Sequence, residues 1–244
     1  MKNHPTHALL AAVALSLGIS SCIITIDDTG ASWHSGFGSH NYQSGHGPTH
    51  KGSGNQAEDP RALTSFDRIE LEGSLDIDVT VTEGAEQSVV VSGEDNLLEF
   101  VRTEVRDGVL HVDLDSGSYT MNMPLVLHAT LPGLHSVELE GSGDIAVRGL
   151  GGESFEVALS GSGDIAVSGR VQRLTASLHG SGDVDLASLE ATEASVLLDG
   201  SGDIRVSASE HLSIELNGSG DIGYRGNPRV KMSMSGSGDV YSFN

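Results

Sequence analysis

Cysteine is almost absent from this chain, and the absence excludes a good deal. A single Cys in 244 residues rules out an intrachain disulfide framework and a thiolate zinc cluster. Basic residues are scarce too: 13 Lys and Arg stand against 34 Asp and Glu, for a net charge of −21. Nucleic acid is therefore a poor partner, because binding phosphates needs a basic stripe that scattered cations do not supply. Aromatics make up only 4% of the chain, too few for a thick globular core, which normally draws on large rings. Long apolar runs are missing after the first 20 residues. Glycine is plentiful, with 32 copies. The combination points to something thin and repetitive.

The one apolar run lies at the N-terminus. Lys2 precedes Ala8 to Ile19, which is too short to span a bilayer and reads as a secretory signal. It ends in Ile19-Ser20-Ser21-Cys22, which resembles the lipobox of bacterial lipoproteins. That resemblance implies removal of residues 1–21, acylation of Cys22 as the new N-terminus, and anchoring to a membrane through the lipid. Acyl chains contribute about 0.8 kcal/mol per buried CH₂, so two or three of them on one residue hold firmly. The implied location is the bacterial cell envelope, at the outer membrane or the cell surface.

Residues 22–62 read as a Gly/Ser/His-rich tether without apolar period, too polar to offset its ordering entropy. A flexible coil of that length reaches about 31–37 Å. It contains Trp33 and four histidines, His34, His40, His46 and His50. These could form a loose Zn²⁺ or Cu²⁺ site, but no Cys or helical spacing fixes a ligand geometry, and a polar linker is the preferred reading.

From Leu134 onward the chain repeats. Gly-Ser-Gly-Asp recurs six times, at spacings of 20, 19, 20, 18 and 18 residues. The turn glycines are Gly141 and Gly143, Gly161 and Gly163, Gly180 and Gly182, Gly200 and Gly202, Gly218 and Gly220, Gly236 and Gly238. On both sides of each copy, apolar residues alternate with polar ones, as in Leu174/Ala176/Leu178 before and Val184/Leu186 after the third. Period two means strand, and coils of about 19 residues holding short strands make an all-β, single-stranded parallel β-helix, or β-solenoid. A single coil cannot bury its apolar row, but stacked coils can, at about 4.8 Å per rung. Glycine suits the corners because it tolerates positive φ and close backbone approach. Residues 63–133 read as degenerate coils, with Gly73-Ser74-Leu75-Asp76 as a worn copy of the motif and a short helix over Asp95–Val101 capped by Asp95.

The order Phe66-x-x-Ile69, Gly73-x-x-x-Ile77-x-Val79, Asn96-Leu97-Leu98, Gly108-x-Leu110-x-Val112 and Leu131-Pro132-x-Leu134, followed by the repeats, is similar to the putative autotransporter adhesin head (GIN) domain family. The resemblance covers about 63–244. It implies a right-handed β-helix, secreted or surface-attached, with no established chemistry. Unlike a true autotransporter, the sequence shows no membrane barrel after the repeats, so export is expected to rely on the signal and the lipid.

Stacking the coils is expected to align Asp144, Asp164, Asp183, Asp203, Asp221 and Asp239 in a ladder. Carboxylates about 5 Å apart repel by roughly 1 kcal/mol per pair even in water, so something must offset them. The preferred source is local: backbone N–H groups of the glycine turn and the neighbouring Ser hydroxyl. The sharper alternative is Ca²⁺ or Mg²⁺ bridging adjacent rungs. Firm metal ligands are not legible, and no cofactor is expected.

Enzymatic signals are weak. Gly218-Ser-Gly-Asp-Ile-Gly223 fits a dinucleotide fingerprint, but Tyr224-Arg-Gly-Asn-Pro228 is no helix. A polysaccharide hydrolase needs a carboxylate pair set apart from the repeat, and a lyase needs a basic residue beside Ca²⁺-binding acids. Neither stands out. The leading expectation is a non-catalytic binding, adhesin-like or structural head. The alternative is a β-helical lyase or hydrolase acting on an acidic polysaccharide. Partners are then the membrane, a surface glycan or envelope protein, and a second copy through the last coil. There, Tyr241 and Phe243 are expected to fold over the open edge or to mediate self-association. Sugar-stacking rings are few: Phe155 and Tyr224 fall on inward positions, and only Tyr119 is expected on an exposed loop.

Overall fold

The structure, a computed structural model, describes residues 48–243. The signal segment, Cys22, Trp33, His34, His40 and His46 lie outside the described residues. Alternating sequence becomes strand almost throughout. Before the repeats come β1 (Thr49–Lys51), β2 (Gln56–Pro60), β3 (Arg68–Gly73), β4 (Asp76–Val81) and β5 (Ser88–Glu94). They are followed by β6 (Val101–Arg106), β7 (Val109–Leu114), β8 (Ser118–Thr120) and β9 (Val126–Leu131). The repeats supply β10 (Ser136–Gly141), β11 (Ile145–Gly161), β12 (Ile165–Gly180), β13 (Val184–Gly200) and β14 (Ile204–Gly218). The last elements are β15 (Ile222–Arg225), β16 (Arg229–Gly236) and β17 (Val240–Ser242).

The repeats form a parallel β-solenoid that makes five turns between Asp144 and Asp239. Like stacks on like: Leu139, Leu159, Leu178, Leu198, Leu216 and Met234 pair in register up one side. Ile145, Ile165, Val184, Ile204, Ile222 and Val240 do the same after the corner. Except for the exposed Met234 and the half-buried Val240 of the last coil, these inward side chains join one continuous core with Phe155 and the apolar rows of β3, β4, β7 and β9. Each buried Leu or Ile contributes about 1.5–3 kcal/mol. The intervening residues face water, which is why strands paired in parallel here keep a period-two pattern rather than the continuous apolar run of a sheet covered on both faces.

The early coils over 63–133 are stacked out of chain order. β3 pairs in parallel with β10 on one side and with β7 on the other. β4 likewise lies between β11 and β9. The chain thus lays down one coil, passes to the far end, returns beneath it through β7 and β9, and then crosses over to start the repeats. The far end is closed by antiparallel strands, with β6 on β7, β5 on β9 and β2 on β5. The sheet ends there at β6 and β2, each paired on one side only.

Two further expectations change. The short helix over Asp95–Val101 is a single 3₁₀ turn, Leu98–Phe100, whose first flanking residue is Leu97, not Asp95. Asp95 instead accepts from the Ser53 hydroxyl. The stretch expected as the end of the tether is structured from residue 49, where β1 pairs β8, through β2 to residue 60. Its polar composition concealed this because main-chain ladders and one buried acid hold it, not apolar burial. Glu94, fully buried, accepts hydrogen bonds from the Gly54 N–H at 2.7 Å, the Asn122 N–H at 3.0 Å and the Asn122 side-chain amide at 2.8 Å.

Candidate functional site

The corner built from Gly-Ser-Gly-Asp is a column of backbone contacts. A Cβ on Gly161 would overlap the carbonyl oxygen of Gly141, and Gly161 also has φ +142°, a conformation that penalises other residues. A Cβ on Gly163 would overlap the carbonyl oxygen of Gly143. The same close approach recurs at the equivalent glycines up the column, from Gly141 and Gly143 to Gly236 and Gly238. The seryl positions point outward beside them.

The aspartates form a ladder whose hydrogen bonds run between coils. The Asp164 N–H donates to Asp144 Oδ1 at 3.0 Å, and the Asp183 N–H to Asp164 at 2.9 Å. Asp203, Asp221 and Asp239 continue the pattern onto Asp183, Asp203 and Asp221 at 2.9, 2.9 and 2.8 Å. The donor is thus the next aspartate's own main chain, not the glycine turn or the Ser hydroxyl of the same coil. Each carboxylate from Asp144 to Asp221 meets a fixed amide dipole, which offsets repulsion between neighbours. The ladder has a rung below the perfect repeats, since Asp76 accepts from the Asp144 N–H at 3.1 Å. Burial pushes the Asp76 carboxyl above the ordinary carboxylate range, and the charges of Asp144 and Asp78 add to this. The worn Gly73-Ser-Leu-Asp76 copy was the signal for this rung.

Away from the corner, the coils shorten from 20 to 18 residues after Asp203, and the surface steps inward. In the pairing of β13 with β14, Leu186 lies opposite Val206 and Glu190 opposite Ser207, so Ala187, Ser188 and Leu189 have no counterpart. A groove of about 720 Å³ occupies the step, with Arg170 and Glu190 on the longer coils and Arg225 and Asn227 on the shorter. Arg170 holds Glu190 through Nε at 2.9 Å and Nη2 at 2.5 Å. Arg225 spans the step and donates to the Ala187 carbonyl at 2.5 Å.

A second groove, of about 380 Å³, lies a few residues further along each of these coils. Its floor is a row of Thr175, Ser195 and Ser213, in register with one another and with Lys231. Its wall is the neighbouring row of Arg173, Glu193, His211 and Arg229. Among the described residues, Arg229 and Lys231 make no ion pair. Five of the chain's 13 basic side chains line these two grooves. The other end of the same outer sheet face is acidic, with Glu70 opposite Glu138 and Glu72 opposite Glu140. Burial raises the Glu138 carboxyl above its usual range, and Glu70, Glu140 and Glu156 raise it further.

The remaining candidates lie elsewhere. His50 and Tyr119 stack on one another with ring centres 5.2 Å apart, and Phe100 packs 4.0 Å from His50. Tyr119 is half-buried, its hydroxyl donating to the Asp115 carbonyl, so it is not the exposed ring expected. Phe155 is buried and Tyr224 half-buried. Tyr241 and Phe243 do not cover the last coil; their rings lie over the outer face of Gly223. Among the described residues, no cluster of three or more His, Cys, Asp or Glu side chains is arranged to hold a metal ion.

Comparison with known proteins follows the solenoid. The sequence model of the family described as putative auto-transporter adhesin, head GIN domain, matches residues 65–228. A crystal structure of a putative adhesin from Bacteroides fragilis superposes with a TM-score of 0.69 at 22% identity, covering 79% of this chain and 99% of that one. A putative adhesin from Parabacteroides merdae gives 0.55 at 18% identity, covering 81% of this chain and 100% of that one. A putative lipid binding protein from Parabacteroides distasonis gives 0.54 at 21% identity, covering 80% and 100%. At these identities the likeness is one of fold. No curated protein matches.

Proposed function

Because this chain belongs to the putative auto-transporter adhesin head GIN domain family, we propose that it is the adhesin-like, non-catalytic binding head of a lipid-anchored envelope protein. The family match and the adhesin-named structural neighbours support a surface role. The Ile19-Ser20-Ser21-Cys22 motif supports anchoring through lipid on Cys22, at the outer membrane or cell surface.

The observation that carries the choice of ligand is the pair of grooves lined by Arg170, Arg173, Arg225, Arg229 and Lys231 in a chain of net charge −21. Cations gathered at one step on so acidic a surface select for an extended anion that avoids the Glu70–Glu138 end. An acidic glycan fits: guanidinium groups hold carboxylates in a planar fork, and the Thr175, Ser195 and Ser213 hydroxyls offer partners to sugar hydroxyls. Cells displaying the protein are expected to capture beads coated with polygalacturonate but not with dextran, and a Cys22→Ser change is expected to remove the protein from the membrane fraction. Equal capture of both bead types contradicts the ligand assignment; membrane retention of the Cys22→Ser protein contradicts the anchor.

A further inference from the structure

The two ends of the solenoid differ. At the first, antiparallel strands follow the parallel stack, whereas among the described residues none follows β16. Its inward row, Val230, Met232 and Met234, sits over the buried Leu212, Ile214 and Leu216. Met232 is 50% and Met234 45% exposed, against 2% and 0% for the residues beneath. We propose that two copies of this chain pair end to end, β16 against β16 in antiparallel, about a two-fold axis at Met232.

The sequence of the strand sets the register. Centred on Met232, the pairing puts Val230 opposite the partner's Met234 and Met232 opposite its own copy, so the two inward rows meet. Outside, Lys231 faces the partner's Ser233 and Arg229 faces the partner's Ser235, so no like charges oppose one another. Moving the axis to Lys231 sets Lys231 against itself. Moving it to Val230 sets Arg229 against Lys231, and moving it to Ser233 leaves Val230 opposite Gly236. The Met232 register gives the fullest apolar overlap while keeping the charges apart. A two-fold interface of this kind is self-complementary and closes, so it gives a dimer and not a filament. The opposite end of the molecule shows that this stack accepts an antiparallel strand, since β6 seals β7 in that way. The inference stands independently of the ligand assigned above.

The test uses the chain from residue 22 onward with Cys22→Ser, so that neither lipid nor the native thiol joins copies. Light scattering is expected to give the mass of two chains, and Met232→Lys that of one, with unchanged β-sheet circular dichroism. Met232→Cys is expected to cross-link to its copy on mild oxidation, because directly opposed residues in antiparallel strands have Cα atoms about 4.5–5.5 Å apart, within disulfide reach. Met234→Cys is expected not to, as its copy lies four residues away along the strand. A monomer at every concentration, a dimer that survives Met232→Lys, or equal cross-linking of both cysteines would overturn the proposal.

Discussion

The Asp203 carboxylate accepts the backbone N–H of Asp221 from the next coil at 2.9 Å. One side chain thereby fastens two coils through the main chain. An amide side chain carries the same acceptor oxygen, so Asp203→Asn is expected to keep the contact and relieve repulsion along the ladder, leaving stability nearly unchanged. Asp203→Ala removes the acceptor and leaves an amide unpaired, at about 1–3 kcal/mol. Urea unfolding of the two variants checks this; equal loss for both would mean the charge, not the acceptor, matters.

Calcium addresses the same ladder. With one oxygen of each carboxylate from Asp144 to Asp221 engaged by an amide, millimolar Ca²⁺ is expected to shift the melting temperature no more than NaCl of matched ionic strength. A larger shift that vanishes in Asp183→Asn plus Asp203→Asn would establish a bridging cation instead.

Glycines at the corner and away from it are expected to respond in opposite directions. Gly163→Ala drives a methyl into the Gly143 carbonyl and should cost about 1–3 kcal/mol or more. Gly151 has open space where a Cβ would stand and no positive φ, so Gly151→Ala should be neutral or stabilise by up to about 1 kcal/mol. Thermal unfolding of the pair decides the matter.

Glu94 is expected to make the N-terminal strands acid-sensitive. The Asn122 side-chain amide, with the N–H groups of Asn122, Gly54 and Met123, holds its carboxyl below the ordinary value of 4.5, outweighing burial. A lowered pKa in the folded state stabilises above the unfolded value and is lost as pH falls through the folded one. Amide protection in β1 and β2, relative to the unfolded rate, should therefore fall below about pH 4.5, while Glu94→Gln should show lowered protection already at pH 7. Glu138 works the other way: its raised pKa favours the fold when it is protonated, so acid should not loosen the β3–β10 contact through this residue. Protection of β1 and β2 that stays level from pH 7 to pH 3 would remove Glu94 from this role.

Much of the solenoid is visible in the sequence because its contacts repeat at a fixed spacing. Leu178 and Leu198 occupy the same place relative to successive glycine corners, and register follows from that. The order of the early coils is hidden because Ile69/Leu71, Leu110/Val112 and Val137/Leu139 carry the same inward pattern, and pairing between them is decided by long-range closure. β2 is hidden because main-chain pairing with β5 and the Glu94 anchor hold it, and neither leaves an apolar period. The grooves have a signal, the fall in spacing from 20 to 18, but its meaning depends on which residues drop out. Ala187, Ser188 and Leu189 lie on the side away from the aspartate corner, so the step appears there and the corner column stays regular. The Tyr119–His50–Phe100 cluster joins three distant segments and has no local pattern.

The most direct measurement is the binding of oligogalacturonate to the purified chain, compared between two sets of charge changes. Arg173→Gln, Arg229→Gln and Lys231→Gln together remove three cations from one groove; Glu72→Gln plus Glu140→Gln removes two charges from the acidic end. Titration calorimetry at low and at physiological salt is expected to show binding by the parent chain that weakens with salt. The groove variant should lose most of its affinity, and the acidic-end variant should bind as well as the parent or better. Binding that ignores the three cations, or no binding by the parent at low salt, would contradict the assignment of this surface to an acidic glycan.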